Sequence, residues 1–403
     1  MPNFQGVWSL SEQYQAIGDQ NWPMAPGAPT SVSAAAGDTQ ATVSFTAPSF
    51  TGVPAGVTGY LATSDPDGVT KTGSASPLTV TGLTNGTSYT FTVQATNSIG
   101  YGAAGTSGGV TPAVLQRILY FGGNAPSDLN VIEYIDPSST GNGTDFGDLW
   151  TSGNGFGGVG SSTRAVMARS AVMQYVEFAT TGNTTDFGDL NFSAGSTAGA
   201  GSNTRGLFVG GGVNNIDYIT IANTGNATDF GDLSAVSDDT AGALASATRA
   251  VFGKVGAANG GGTSQLMVYV TIANTGNSTD FGTLSGGTRK QNLKGASSST
   301  RGLFAGGYRS YPSIVYYNTI EYITIASTGN TTDFGDLNAA LDGGAFGSGA
   351  TRAVFAGGYN GAARNNVMQY VTIASTGNTT DFGDLTATKS NMGAASSVHG
   401  GLA

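Results

Sequence analysis

The chain has 403 residues, a formal net charge of −10, 65 glycines and only 10% charged residues, so glycine runs at more than twice its usual ~7% and charge at less than half its usual ~25%. That balance excludes long solvated helices and coiled coils, while 39% apolar residues with 19 Phe and 16 Tyr exclude wholesale disorder and leave short strands joined by Gly, Ser, Thr and Asn turns. The absence of cysteine excludes disulfides, thiol catalysis and Cys-ligated zinc; no Lys/Arg cluster calls for nucleic acid, and no run of ~18 apolar residues calls for a membrane-spanning helix.

The length predicts two or three domains. Residues 1–26 read as an anchoring segment. They have neither a basic start nor an apolar run, so no Sec signal peptide is expected. Ser9-Leu-Ser-Glu12 is a capping box. It predicts a short helix with Leu10, Tyr14 and Ile17 on one face and Gly18 as its stop, flanked by Trp8 and Trp22. One short helix is marginal alone, so its apolar face calls for cover from the next domain or from a partner.

Pro23 to Gly27 reads as a linker into a domain spanning 27–112. Ala41-Thr-Val-Ser-Phe45 and Tyr89-Thr-Phe-Thr-Val93 alternate apolar and polar residues, as half-buried strands do. Asp67-Gly68 and Asn85-Gly86 mark tight turns. Leu83-x-x-Gly86-Thr-x-Tyr89 followed by Thr-Phe-Thr-Val-Gln-Ala-Thr-Asn97 resembles a fibronectin type III domain. The resemblance implies a β-sandwich in which Tyr89 is the tyrosine-corner residue, with Phe45 where that family usually has tryptophan. Such modules are mostly spacers or binding scaffolds, and no Arg-Gly-Asp supports integrin binding.

From residue 113 the chain repeats itself. The signature Thr-Asp-Phe-Gly-Asp-Leu, or a close variant, recurs with its phenylalanines at 146, 187, 230, 281, 334 and 382, spaced 41, 43, 51, 53 and 48 residues apart. A strand such as Tyr322-Ile-Thr-Ile325 precedes each signature. Before that lies Thr-Arg-Gly/Ala-Leu/Val-Phe, usually followed by Gly-Gly. Four strands per unit at this period predict a β-propeller of about six four-stranded blades over 113–403. In the unit beginning at Arg301, the fourth strand is the Ala/Gly/Ser run ahead of the next Thr-Arg. The C-terminal Ser396-Ser-Val-His-Gly-Gly-Leu402 echoes the start of a unit, as a strand closing on the first blade or as part of a seventh. The double glycine resembles kelch-type blades. The whole unit, and more weakly the opening Gly6-Val-Trp-Ser-Leu-Ser-Glu-Gln-Tyr-Gln15, is similar to structural proteins of tailed bacteriophages, especially those of marine cyanobacteria.

Six of the ten arginines share the Thr-Arg slot: Arg117, Arg164, Arg205, Arg249, Arg301 and Arg352. Eleven of the 25 acids lie in the signatures, among them Asp186, Asp229, Asp280, Asp333 and Asp381. Two opposite charges repeated in register across a charge-poor chain predict mutual Arg–carboxylate pairing within or between blades. A residue repeated six times reads as scaffold, since catalysis needs one asymmetric site. Asn330, Asp333 and Asp336 have the oxygens for Ca²⁺ but not the spacing of a calcium loop, so no metal or other cofactor is expected. The only histidine, His399, stands five residues from the end, and no Gly-x-Ser-x-Gly elbow accompanies it. Glu133 and Glu321 share one slot in the strand ahead of the signature. The irregular loops hold the candidate ligand contacts: Tyr308, Arg309, Tyr311 and Tyr316 in the fifth unit, and Tyr359, Asn360 and Arg364 in the sixth. Residues 255–264 form a Gly/Ala/Asn insertion in the fourth. Tyrosine, arginine and asparagine together are typical of recognition surfaces.

The resemblance implies a non-enzymatic virion protein, a tail fibre or related appendage. Its N-terminus would contact other tail or baseplate proteins, and its propeller would meet host-surface polysaccharide or protein. It implies a homo-oligomer, with a trimer as in phage fibres, and no membrane insertion. A capsid decoration protein and a glycan-degrading appendage are the alternatives.

Overall fold

A computed structural model describes residues 9–18, 23–53, 56–236, 242–255, 265–285, 290–310 and 313–402. Trp8, Trp22, Tyr311 and most of the 255–264 insertion, expected above to matter, lie outside the described residues. Among the described residues the protein is all-β apart from two short helical segments, and it divides into two compact units between residues 115 and 116.

The first unit begins with the helix Leu10–Gly18. Ser9 N–H donates to Glu12 Oε2 at 2.8 Å and Glu12 N–H donates to Ser9 Oγ at 3.3 Å, the reciprocal bonds of a capping box. The bonds from Ser9 hold the Glu12 carboxyl below its usual range. Seven strands follow in two antiparallel sheets. One contains Thr30–Gly37, Gln40–Thr46 and Leu78–Thr81; the other contains Thr70–Gly73, Gly59–Asp65, Thr90–Thr96 and Tyr101–Thr106. Alternate residues of both sheets, including Val43, Phe45, Tyr60, Phe91 and Val93, form one buried core. The linker expected over Pro23–Gly27 is instead tied to the sandwich, because Met24 and Val53 exchange backbone hydrogen bonds at 3.0 Å.

Among the described residues the second unit contains six four-stranded antiparallel sheets, numbered I to VI by their second strands, Ile118–Phe121, Arg164–Arg169, Arg205–Gly210, Arg249–Val255, Arg301–Ala305 and Arg352–Tyr359. Sheet V shows the plan: Lys294–Ser297, Arg301–Ala305, Thr319–Thr324 and Thr332–Asp336, side by side in that order. This corrects the expected strand grouping. The Ala/Gly/Ser run belongs to the arginine strand that follows it, because a tight Ser-Ser-Thr turn makes that pair a hairpin. Sheet I takes its corresponding strand from the far end of the chain, where Gly393–Ser396 pairs with Ile118–Phe121. The closing strand is thus the run just before the expected echo, which shares only Ser396 with it and runs on into a short helical turn at Gly400–Leu402; no seventh sheet occurs among the described residues.

The first strand of each sheet touches that of the next, and the strand of sheet VI touches that of sheet I, which in turn touches sheet II. Their small residues follow from this crowding. A Cβ on Gly199 would lie 2.5 Å from Gly158 O, and one on Gly295 would lie 2.3 Å from Ala243 O. Each apolar core lies between two neighbouring sheets, including one that joins Val354, Met368 and Phe382 of sheet VI to Ile118 and Tyr120 of sheet I. No sheet buries both faces alone, so each depends on its neighbours.

The signature is the clasp between sheets. The Asn of each Thr-Gly-Asn turn accepts a backbone N–H from the preceding sheet at 3.0 Å: Asp148 to Asn183, Asp189 to Asn226, Asp232 to Asn277, Thr283 to Asn330, Asp336 to Asn378, and Asp384 of sheet VI to Asn142 of sheet I. The glycine of the signature makes room for that turn. Gly188 has φ of +136°, and a Cβ there would meet Gly225 O at 2.4 Å.

Candidate functional site

The repeated charges do not pair as expected. The six arginines are half-buried, and the guanidinium carbons of Arg117, Arg164, Arg205, Arg249, Arg301 and Arg352 lie 4.2–4.6 Å over the rings of Tyr134, Tyr175, Tyr218, Tyr269, Tyr322 and Tyr370. Each tyrosine in turn meets the signature phenylalanine edge-on at 6.0–6.1 Å. The guanidinium then reaches across to backbone carbonyls of the next sheet. Arg205 donates to Ile272 O at 2.7 Å and Ala273 O at 2.9 Å, and Arg352 of sheet VI reaches Ser138 O beside sheet I at 3.2 Å. Among the described residues only Arg164 of the six has a carboxylate partner, Glu177 at 2.7 Å. Asp186, Asp229, Asp280, Asp333 and Asp381 are all exposed on outer strands. The physical reason is register. Arginine sits directly across from the tyrosine strand, while the aspartates lie one strand further out with their side chains in water. The contacts the arginines make are cation–π and carbonyl contacts instead.

A second repeated slot precedes each tyrosine. Glu133, Gln174, Asp217, Glu321 and Gln369 are buried and accept the backbone N–H that follows the previous signature, from Thr386, Trp150, Asn191, Ser285 and Asn338 at 2.6–2.9 Å. Burial raises Asp217 above the usual carboxylate range. The two glutamates each gain a buried lysine, Lys389 on Glu133 at 2.5 Å and Lys290 on Glu321. The slot was visible in the sequence, but its lysines were missed. For Glu321 the signal was a lysine shortly after the preceding signature; Lys389 follows the last signature, at the far end of the chain from Glu133, and left no such signal.

Six-fold repetition fails at the Gly-Gly end of sheets V and VI. Tyr308–Arg309 and Val315–Tyr316 form an extra two-stranded hairpin there. Tyr308 stacks on Tyr316 at 6.2 Å, and Tyr359 meets Tyr316 edge-on at 5.9 Å. Arg364 lies 5.8 Å over Tyr359, with its Nε donating to Asn124 Oδ1 and Ser390 Oγ at 3.1 Å each. Burial, then the neighbouring Tyr359 and Asp342, push the Tyr316 hydroxyl up. Five of the seven expected contacts, Tyr308, Arg309, Tyr316, Tyr359 and Arg364, thus gather. Asn360 caps its own turn, accepting from Ala362 N–H and Ala363 N–H at 2.9 Å. The remaining contact, Tyr311, is among the positions not described.

Trp150 escaped the sequence reading. It follows the signature of sheet I, where other sheets have Asn, Ser or Thr, and it is 65% exposed. That break in a repeated position was the available signal. His399 has a structural setting: its Nε2 donates to Gly160 O at 2.9 Å and its Nδ1 accepts Gly401 N–H at 3.0 Å. Enclosure holds the imidazole below its usual pKa. His399 borders a cavity of about 70 Å³ lined by the glycines and alanines of the first strands. Such a space takes a few waters and no sugar ring. Among the described residues no group of three His, Asp or Glu gathers as a metal site would require, and no helix is long and apolar enough to cross a membrane.

In the first unit Tyr89 is fully buried, and its hydroxyl accepts Thr84 N–H at 3.1 Å and donates to Asp67 at 2.6 Å. The bond back to the chain five residues upstream is the tyrosine corner, and the family profile matches residues 27–108. Residues 27–108 form a fibronectin type III domain. Phe45 fills the place usual for tryptophan by packing on Tyr60 at 4.7 Å. The fibronectin type III domain leaves Ile99 and Tyr101 about half exposed. No curated protein matches the chain. Before the fibronectin type III domain, Leu10 and Tyr14 of the helix are both 71% exposed, while Ala16 is buried. The side chain of Ile17 lies outside the described residues.

Proposed function

We propose that sheets I to VI are the kelch-like blades of one six-bladed β-propeller. The recurrence of every inter-sheet contact at the junction of sheet VI with sheet I supports this reading. We further propose that the chain is a non-enzymatic virion protein of a tailed bacteriophage, a tail fibre or related appendage. Its first residues attach to tail or baseplate proteins, the fibronectin type III domain acts as a spacer, and the propeller recognises the host surface. The exposed Leu10 and Tyr14 face suits the attachment role. The tyrosine cluster at the Gly-Gly end carries the recognition reading, because it is the place where a repetitive scaffold becomes asymmetric. Avidity from many copies, as in a trimeric fibre, would offset modest affinity per head.

Locating the chain in intact particles by labelled-antibody electron microscopy tests this. Tail labelling, with adsorption lost on removing the chain, supports the reading. Labelling over the head with only particle stability affected would instead make it a decoration protein. Release of reducing ends from host glycan, abolished by one acidic substitution, would make it an enzyme.

A further inference from the structure

We infer that Asn360 is a site of spontaneous covalent modification, where the side-chain amide cyclises onto the nitrogen of Gly361 and is then hydrolysed to aspartate or isoaspartate.

The chemistry needs an asparagine whose following backbone nitrogen is free to attack, and glycine suits it because no side chain stands in the way. The nitrogen of Gly361 bonds to Cγ of Asn360. Its proton passes through water to the departing Nδ2, which leaves as ammonia. Water then opens the cyclic imide at either carbonyl. One opening leaves aspartate; the other leaves isoaspartate, whose main chain runs through the side-chain carbon.

The chain has five Asn-Gly pairs, beginning at Asn85, Asn142, Asn154, Asn259 and Asn360. Asn259 lies outside the described residues. Three of the other four are held by the fold. Gly86 N–H donates to Pro112 O at 2.9 Å, Gly143 N–H to Asp384 O at 2.8 Å and Gly155 N–H to Asn391 O at 2.8 Å. Their asparagines are held as well. Asn85 Oδ1 accepts Thr39 N–H at 2.9 Å, Asn142 Oδ1 accepts Asp384 N–H at 3.0 Å, and Asn154 Nδ2 donates to Asp128 at 2.6 Å. Attack at any of these needs a hydrogen bond between distant segments to break first.

Asn360 differs at each point. It stands with Gly361, Ala362 and Ala363 in the exposed turn between the strands Arg352–Tyr359 and Arg364–Thr372. Asn360 N–H donates to Ala363 O at 3.2 Å, Ala362 N–H and Ala363 N–H donate to Asn360 Oδ1 at 2.9 Å, and the Tyr359 hydroxyl donates to Gly361 O at 2.8 Å. Among the described residues none of these bonds takes up the Gly361 N–H or Asn360 Nδ2. The two donors on Oδ1 fold the side-chain carbonyl forward along the turn. They also stabilise the negative charge that grows on Oδ1 as the nitrogen adds. Either product alters the asymmetric end. Aspartate places a charge next to Tyr359. Isoaspartate inserts a carbon into a turn whose Gly361 lies against Tyr316, where a Cβ would come within 2.6 Å of the ring.

The folded full chain is aged at mildly alkaline pH, and peptide mapping by mass spectrometry follows each pair, with isoaspartate methylation as a second readout. Asn360 should convert about tenfold faster than Asn85, Asn142 and Asn154. That is ~1.4 kcal/mol of barrier, the scale of one backbone hydrogen bond. A parallel sample in guanidinium chloride removes the fold, and there the four rates should converge. Conversion of Asn360 no faster than the other three in the folded chain, or a lead that survives unfolding undiminished, would overturn the inference.

Discussion

Replacing Arg205 with methionine isolates the contact that joins neighbouring sheets. Methionine keeps most of the apolar stem and removes the guanidinium. The loss is one cation–π contact at 4.5 Å with Tyr218 and two charge-assisted bonds, at 2.7 and 2.9 Å, to carbonyls of the next sheet. The first is worth about 0.5–1 kcal/mol at a half-exposed site. The two bonds, each ~1.5–3 kcal/mol when buried, shrink by roughly half, since water can reach the freed carbonyls. The expected cost is therefore about 2–4 kcal/mol. At about 2 °C per kcal/mol for a unit of this size, the melting temperature should fall by roughly 4–8 °C. Calorimetry and urea denaturation of the full chain give the two readouts. Arg205→Lys should lie between, keeping the charge over the ring but losing the fork that spans both carbonyls. Asp186→Asn, at an exposed position, should cost less than ~0.5 kcal/mol. A methionine variant within about 1 kcal/mol of wild type would refute the argument. So would an Asp186→Asn variant as damaging as Arg205→Met and non-additive with it, which would restore the ion pair the geometry denies.

Gly188→Ala should destabilise by ~3 kcal/mol or more, because the new Cβ meets Gly225 O at 2.4 Å on a backbone with φ of +136°; a urea midpoint close to wild type would argue against the clasp. Lys389→Met leaves the Glu133 carboxylate buried and uncompensated, at a cost of about 3–5 kcal/mol, and the double change with Glu133→Gln should recover most of it in the same denaturation assay. His399 has a folded pKa below its unfolded ~6.5. Above that pH both states are neutral and stability is flat. As pH falls below it, the unfolded chain takes the proton first, so stability declines by at most ~1.4 kcal/mol per pH unit until the folded pKa is passed. His399→Gln should remove that slope in pH-dependent melting, and a slope that survives the change would assign it to other groups.

Much of the local structure was legible in the residues themselves. The Ser9–Glu12 cap, the tyrosine corner at Tyr89 and the strand identities around each signature depend on neighbours a few residues away, and such contacts leave a spacing in the chain. The sequence also singled out Tyr308, Arg309, Tyr316, Tyr359 and Arg364, because they interrupt a repeat. What it misjudged concerns which strands lie side by side, both in the hairpin that the Ala/Gly/Ser run makes with the arginine strand and in the reach of the arginines to the next sheet. Arginine and aspartate recur together, yet only the register across the sheet decides that the cation faces tyrosine and carbonyl oxygens while the acids face water.

Composition, strand alternation and period therefore predicted that the chain is all-β, that residues 27–112 form one module and that six similar units follow. The sharing of strands was decided by packing. Gly393–Ser396 joins a sheet begun by Ile118, a pairing that no local pattern encodes, because it exists only once the last unit has met the first. The asymmetric end was decided the same way. Its tyrosines come from two units, and Tyr316 meets Tyr359 only when those units pack, so the cluster has no counterpart in the linear text.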